Sequence, residues 1–182
     1  MKNKSFIIIL ALLVVILLAA VPLYRNLSGQ VDSTPSGTGQ QAEPIAAPDF
    51  TFYQLDGTAV NLSNFFGKPI VLNFWASSCG PCRSEMPDFQ TAYDTLGDEV
   101  QFLMVNVTDG RWDTLESASG YIEAEGFTFP VFYDTDNHAA FTYGLRGLPT
   151  TFFINAAGSI VGSRSGAMSY DVLMGGINLI HH

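Results

Sequence analysis

The chain has 182 residues, of which 47% are hydrophobic and 14% are charged. The part after Arg25 contains five basic and seventeen acidic side chains, which gives it a net charge of −12. Such a surface repels nucleic acid, and no cluster of Lys or Arg offers a local exception, so we set nucleic-acid binding aside.

The N-terminal segment predicts a membrane anchor. Residues 6–23 form an uncharged, apolar run that follows Lys2 and Lys4. As a helix this run spans about 27 Å, close to the thickness of the bilayer's hydrocarbon core. The preceding charges predict a cytoplasmic N-terminus, with the rest of the chain outside. We therefore expect an anchor in residues 1–25. The alternative is a signal peptide cleaved after Ala20, which leaves a protein that starts near Val21.

The next segment, residues 26–47, is rich in Gly, Ser, Thr, Gln and Pro and has no aromatic residue. This composition predicts a flexible linker, because the segment buries too little apolar surface to fold. Residues 48–182 are enough for one domain with a hydrophobic core.

Strands and helices alternate along this domain. A strand pair is expected at residues 48–54 and 58–62, joined by a turn at Asp56-Gly57. The further predicted elements are a buried strand at 69–76, a helix at 83–96, a strand at 100–107, a helix at 112–125 that Gly126 ends, a strand at 130–133, a helix at 136–143, strands at 150–155 and 159–162, and a helix at 169–180. This order predicts an α/β fold, a three-layer sandwich around a mixed central sheet.

Both cysteines of the chain lie where the strand at 69–76 gives way to a helix. Two residues separate them, so Cys79 caps the helix, Cys82 falls in its first turn, and the two sulfurs can form a disulfide. Pro81 suits the first turn, where its missing N–H costs nothing. Unpaired amides and the helix dipole favour a thiolate at Cys79 and lower its pKa, which makes it the nucleophile. Cys82 lies deeper and is the expected resolving thiol.

Two alternatives to redox chemistry exist for the cysteine pair. A zinc site needs two further ligands, and His138, His181 and His182 are far away in the sequence. A structural disulfide that closes so small a loop constrains the unfolded chain very little. The strand before and the helix after the pair favour a redox role.

Two segments resemble a known family. Residues 73–82, NFWASSCGPC, resemble the thioredoxin active-site segment, and residues 144–150, GLRGLPT, resemble that family's Gly-x-Arg-Gly-x-Pro-Thr loop. Together with the anchor, the strand pair and the segment 100–143, they resemble the TlpA/ResA-like thiol–disulfide oxidoreductases. The resemblance implies a thioredoxin-like sandwich with an N-terminal strand pair and a central insertion, preceded by a transmembrane helix.

The resemblance also implies a substrate-binding set around the cysteines. In the family the loop proline is cis and faces the cysteines, and Pro149 matches it. The backbone of Leu148 is then expected to pair with an extended substrate. Trp75 and Pro81 complete the expected set, with Trp75 packing beneath the site.

Glu85 is the third expected catalytic residue, beside the two cysteines. It lies three residues past Cys82, on the same face of the helix. In ResA-like proteins a Glu at this place tunes the cysteines and assists proton transfer. Without the resemblance, Glu85 reads as a solvated helix carboxylate. Asn73 occupies the place where thioredoxin has a buried acid, which makes Glu85 the nearer candidate for proton transfer.

The implied activity is the reduction of disulfides in exported proteins, apocytochrome c among them. No cofactor is expected beyond the Cys79–Cys82 disulfide, and the electron donor is expected to be a CcdA/DsbD-type membrane protein. Gly-Pro between the cysteines resembles the reducing thioredoxin motif, near −270 mV, more than strong oxidants near −120 mV. The implied location is the cell membrane, single-pass, with the catalytic domain outside.

Two alternative functions share this fold. A thiol peroxidase usually carries its reactive cysteine in a Pro-x-x-x-Thr-x-x-Cys context, but Ala76 occupies the Thr position. A copper chaperone of the Sco type uses two cysteines three residues apart rather than two, plus a histidine, and His138 has no supporting motif.

Overall fold

A computed structural model describes residues 45–110 and 113–181. The predicted anchor and the linker up to residue 44 lie outside the described residues, as do Arg111, Trp112 and His182. Among the residues described, no helix is both long and apolar enough to cross a bilayer.

A mixed sheet of eight strands organises the described part of the chain. In chain order the strands are β1 (Ile45–Ala46), β2 (Thr51–Tyr53), β3 (Ala59–Asn61), β4 (Ile70–Trp75), β5 (Gln101–Val107), β6 (Val131–Asp134), β7 (Thr150–Ile154) and β8 (Ser159–Ser165). Their spatial order is β1-β8-β7-β4-β5-β6-β2-β3. The central strands β4, β5 and β6 run parallel, and the other neighbours pair antiparallel.

Helices cover both faces of this sheet. They are a short 3₁₀ helix (Leu62–Phe65), α1 (Gly80–Leu96), α2 (Leu115–Glu125), α3 (His138–Thr142) and α4 (Tyr170–Asn178). One hydrophobic core contains buried residues of α1, α2 and α4, and the other contains buried residues of the 3₁₀ helix and α3. The three-layer arrangement expected from the sequence is therefore present.

The burial of strand β4 explains why its sequence is an almost continuous apolar run. All six of its residues are buried. Successive side chains of a strand point to opposite faces, so Val71 and Trp75 enter the first core while Leu72 and Phe74 enter the second. Asn73 therefore lies on the α1 side of the sheet, where the cysteines are.

The expected N-terminal strand pair is confirmed, and the sheet accounts for its position. β2 and β3 pair antiparallel around the turn at Gly57, whose positive φ of 84° favours glycine. The pair joins the sheet through β6, where Tyr53 lies opposite Tyr133. Strand β6, in the segment between the two resemblance motifs, thus links the added N-terminal strands to the central sheet.

Several predicted boundaries were wrong, among them the end of β8, which lies at Ser165 rather than at residue 162. The causes of two others are visible in the structure. Ile45 and Ala46, assigned to the linker, pair with β8 as an edge strand, because backbone pairing requires no particular side chains. Helix α2 begins at Leu115 rather than near residue 112, because the Thr114 side chain accepts a hydrogen bond from Ser117 N at 3.1 Å and so caps the helix there.

Candidate active site

Cys79 and Cys82 lie at the N-terminus of α1 and are joined by a disulfide, with their Cα atoms 5.3 Å apart. Cys79 is the N-cap residue of the helix, and its sulfur accepts a hydrogen bond from Cys82 N at 3.2 Å. Cys79 is half-buried, whereas Cys82 is completely buried. This asymmetry matches the expected roles, because only the first sulfur can be reached from outside.

An open cleft of about 750 Å³ lies next to Cys79. It separates the segment that follows β4 from the loop that precedes β7. Its lining is mostly apolar, with two charged side chains, and consists of Ala76, Ser78, Cys79, Val107, Asp109, Ala140, Leu145, Arg146, Gly147 and Leu148. A cleft of this size takes part of a peptide chain rather than a whole protein.

The loop before β7 forms one wall of the cleft. The Leu148–Pro149 peptide bond is cis, as expected. Leu148 is half-buried and lines the cleft beside Cys79, whereas Pro149 is buried. The loop is held from within, since Thr150 Oγ1 donates to Gly147 O at 2.8 Å.

Glu85 is buried beneath the cysteines, one turn further along α1 than Cys82, with 1% of its surface exposed. Its Oε1 accepts a hydrogen bond from Asn73 Nδ2 at 2.9 Å, and its Oε2 accepts one from Met168 N at 3.0 Å. Burial raises the pKa of this carboxyl from 4.5 to about 7, although both hydrogen bonds oppose the rise. Glu85 is therefore not a solvated helix carboxylate, and near neutral pH it can both take up and release a proton.

Asn73 connects Glu85 to the strand that follows Pro149. The same Nδ2 group that donates to Glu85 also donates to Thr151 Oγ1 at 2.9 Å. Asn73 and Thr151 lie opposite each other on the neighbouring strands β4 and β7. At the position where thioredoxin has a buried acid, this chain thus has the amide of Asn73, and its buried acid is Glu85 of α1.

The buried carboxylate of Asp113 was not predicted from the sequence. It accepts hydrogen bonds from the backbone N–H and, at 2.8 Å, the hydroxyl of Ser77, and from Asn106 Nδ2 at 2.8 Å and Thr114 N at 3.0 Å. It thereby ties the segment just before Cys79 to β5 and to the start of α2. The residue types of the sequence did not reveal it, because Asp113 stands in a polar stretch typical of an exposed loop.

Two residues of the expected substrate-binding set differ in exposure to solvent: one is exposed and the other is buried. Pro81 is exposed in the first turn of α1, so it is accessible to a partner. Trp75 is completely buried, and its ring lies 6.0 Å from that of Tyr121. A direct contact between Trp75 and a substrate is therefore wrong for this conformation, and only its expected packing beneath the site is observed. It is buried because β4 is covered on both faces.

Two of the three histidines that were candidate metal ligands, His138 and His181, lie among the described residues. His138 is exposed at the start of α3, and His181 Nε2 lies 2.7 Å from Glu99 Oε2. Across the residues that the structure describes, no three His, Cys, Asp or Glu side chains are grouped so that they could hold a metal ion.

A disulfide-bonded Cys-x-x-Cys pair at the start of a helix, beside a cis-proline loop and on a mixed α/β sheet, defines a thioredoxin-like protein. The AhpC/TSA family matches residues 45–163. Thiol-disulfide oxidoreductase ResA from Bacillus subtilis (strain 168) is 30% identical over 180 residues, which cover 98% of this chain and 94% of ResA.

Solved structures of two thiol–disulfide proteins are similar to this fold. StoA from Bacillus subtilis matches with a TM-score of 0.62 and 28% identity, over 73% of this chain and 98% of StoA. A thiol:disulfide interchange protein of the thioredoxin family from Chlorobium tepidum TLS matches with a TM-score of 0.67 and 27% identity, over 78% of this chain and 99% of that protein. The chain therefore belongs to the AhpC/TSA family, among its ResA-like thiol–disulfide oxidoreductases.

Proposed function

We propose that the chain is a membrane-anchored reductase that acts on disulfides of exported proteins outside the cytoplasm. The observation that carries this proposal is the unequal exposure of the two sulfurs. Cys79 lies in the wall of an open cleft, and Cys82 is buried behind it. A protein disulfide can therefore reach the first sulfur and not the second.

The reaction begins with the reduced pair. The Cys79 thiolate attacks one sulfur of the client disulfide, and the other client cysteine leaves as a thiolate. Cys82 then loses its proton and attacks the Cys79 sulfur. The Cys79–Cys82 disulfide forms, and the first client cysteine leaves. Two electrons pass from the enzyme to the client, which ends as a dithiol.

Glu85 is the proposed acceptor of the Cys82 proton. Cys82 is buried and has no access to bulk water, so its proton needs an acceptor inside the protein. Glu85 lies one helical turn away, and its pKa of about 7 leaves about half of it ionised at neutral pH. Its replacement by Gln should slow the second step and leave the first step largely intact.

The direction of electron flow is tested by the reduction potential. The full-length protein is equilibrated with thiol–disulfide buffers, and its reduced fraction is measured by alkylation and mass shift. We expect a reduction potential of about −270 mV and catalysis of insulin reduction. The Cys79→Ser variant should show neither the redox transition nor the activity. A value above about −150 mV would reverse the proposed direction.

The membrane tether and the electron donor belong to the same proposal. In this proposal the domain lies outside the membrane and receives electrons from a CcdA/DsbD-type donor that carries them across it. The apolar run after two lysines supports this orientation. A mass measurement on the mature protein tests the tether, since a chain that starts near Val21 contradicts it. Apocytochrome c is the proposed client class. If the Cys82→Ser variant captured a different exported protein as a mixed disulfide, that protein would be the client instead.

The two alternative functions have direct tests. A copper chaperone should bind copper stoichiometrically, whereas the proposed reductase should reduce insulin and bind copper no better than its Cys79→Ser variant does. For a thiol peroxidase, the position three residues before the cysteine matters. Here it is Ala76, a buried side chain without a hydroxyl. A peroxide-dependent turnover faster than insulin reduction would favour the peroxidase.

A further inference from the structure

Asn73 is a completely buried side chain with an unusual set of contacts. Its Nδ2 group donates to Glu85 Oε1 and to Thr151 Oγ1, both at 2.9 Å. Its Oδ1 atom has no hydrogen-bond partner among the residues described. A buried polar atom without a partner is costly, so the orientation of the amide needs a cause. The cause is the carboxylate, which needs a donor and would repel the amide oxygen.

We propose that Asn73 is a positioning residue for the step in which Cys82 resolves the mixed disulfide. Its amide favours the ionised form of Glu85 and fixes the carboxylate in place, and Thr151 in turn fixes the amide. The ionised Glu85 accepts the proton of Cys82, the Cys82 sulfur attacks that of Cys79, the new S–S bond forms, and the client leaves as a thiolate. This inference rests on the exchange reaction proposed above.

Several groups face Glu85, and their effects differ. Burial disfavours its charge, and so does Asp88 on the same helix. Arg164 on β8 favours it, as do the hydrogen bonds from Asn73 and from Met168 N. The donor at Met168 is a backbone group, which no side-chain substitution removes. Among the residues described, Asn73 is the side chain that donates a hydrogen bond to Glu85, and Thr151 is linked to Glu85 through its hydrogen bond with Asn73.

The two steps can be followed separately in the full-length reduced protein. Reaction with 5,5′-dithiobis(2-nitrobenzoate) releases one thionitrobenzoate when Cys79 attacks and a second when Cys82 resolves the adduct. Both phases are recorded against pH for the natural protein, Asn73→Leu, Thr151→Val, Glu85→Gln and the double variant of Asn73 and Glu85. Leu and Val have the same branching and the same number of heavy atoms as the residues that they replace, and they remove the polar contacts.

Loss of the Asn73 donor should raise the pKa of Glu85, because it removes a hydrogen bond that favours the ionised form. We expect the acid limb of the second phase to move up by about one pH unit in Asn73→Leu, with resolution about fivefold slower at pH 7. The first phase should change less than about twofold. Thr151→Val should show a smaller shift in the same direction, and it provides the test if Asn73→Leu does not fold.

The double variant decides whether Asn73 acts through Glu85. We expect it to resolve within about twofold of Glu85→Gln alone, because Asn73 has no carboxylate left to hold. If Asn73→Leu slows both phases equally with no movement of the acid limb, or slows Glu85→Gln as much as it slows the natural protein, the inference is overturned. If no second thionitrobenzoate is released by the natural protein, the proposed function itself fails.

Discussion

Replacement of Glu85 by Gln should change how the stability of the protein depends on pH. The folded state holds the Glu85 proton up to a pH of about 7, because burial raises its pKa, whereas the unfolded chain releases it near 4.5. Between these values the folded state binds more protons than the unfolded state. The free energy of unfolding of the natural protein should therefore fall as the pH rises, and Gln removes this contribution.

The size of the effect follows from the two pKa values. A shift of one unit corresponds to about 1.4 kcal/mol, so the contribution of Glu85 should decline by about 2.5 kcal/mol between about pH 5 and pH 8.5. Gln also has a cost, because its amide group faces either Met168 N–H or the Asn73 amide, and two donors cannot pair. That cost is independent of pH, so it shifts the whole curve without changing its slope.

The assay is urea unfolding of both full-length proteins in the same detergent, followed by tryptophan fluorescence across this pH range. Relative to the natural protein, Glu85→Gln should gain about 2.5 kcal/mol between the lowest and highest pH. Glu123→Gln is the control, since this exposed side chain of α2 stays in water in both states, and its change should be much smaller. A flat difference, or one of opposite sign, would refute the reasoning that Glu85 holds a proton in the folded state.

Four further substitutions test the packing and the polar contacts around the site. Gly176→Ala should destabilise the protein by about 2 kcal/mol, because a Cβ at this position would overlap the Phe153 ring. Gly175→Ala is the matched control: its Cβ would have free space, so it should stabilise α4 by up to about 1 kcal/mol. Equal denaturation midpoints for the two variants would contradict both expectations. Asp113→Asn should lower the free energy of unfolding by about 3 kcal/mol in the same assay, because the NH2 group of the amide would face two of the N–H and O–H groups that donate hydrogen bonds to the carboxylate. A loss below about 1 kcal/mol would contradict the role of Asp113 in holding these groups. Trp75→Phe should leave the KM for insulin within about twofold of that of the natural protein, because Trp75 is buried. A large increase in KM would indicate that Trp75 contacts the substrate.

Much of the fold could be predicted from local patterns. The continuous apolar run of β4 indicated a strand covered on both faces, and the alternation of strands and helices indicated the three layers. The positions of the cysteines could also be predicted, because a helix that starts right after a strand places Cys79 at its N-cap. Pro149 was expected to be cis from the family resemblance alone, and it is.

What could not be predicted depends on contacts between distant parts of the chain. The burial of Glu85 requires the backbone of Met168, 83 residues away, to close over α1. The same is true of Asp113, which is polar and lies in a loop but is buried because Ser77 and Asn106 surround it. The edge strand at Ile45 and Ala46 has no sequence pattern, because it is held by its pairing with β8.

The most direct test of the account is to locate the mixed disulfide. Reduced Cys82→Ser protein is mixed with a disulfide-bonded peptide, and the adduct is mapped by mass spectrometry, with Cys79→Ser as the matched control. The account predicts a stable adduct on Cys79 in the first variant and no adduct in the second, because only Cys79 opens onto the cleft. An adduct on Cys82 in the control, or an unreactive Cys79, would contradict it.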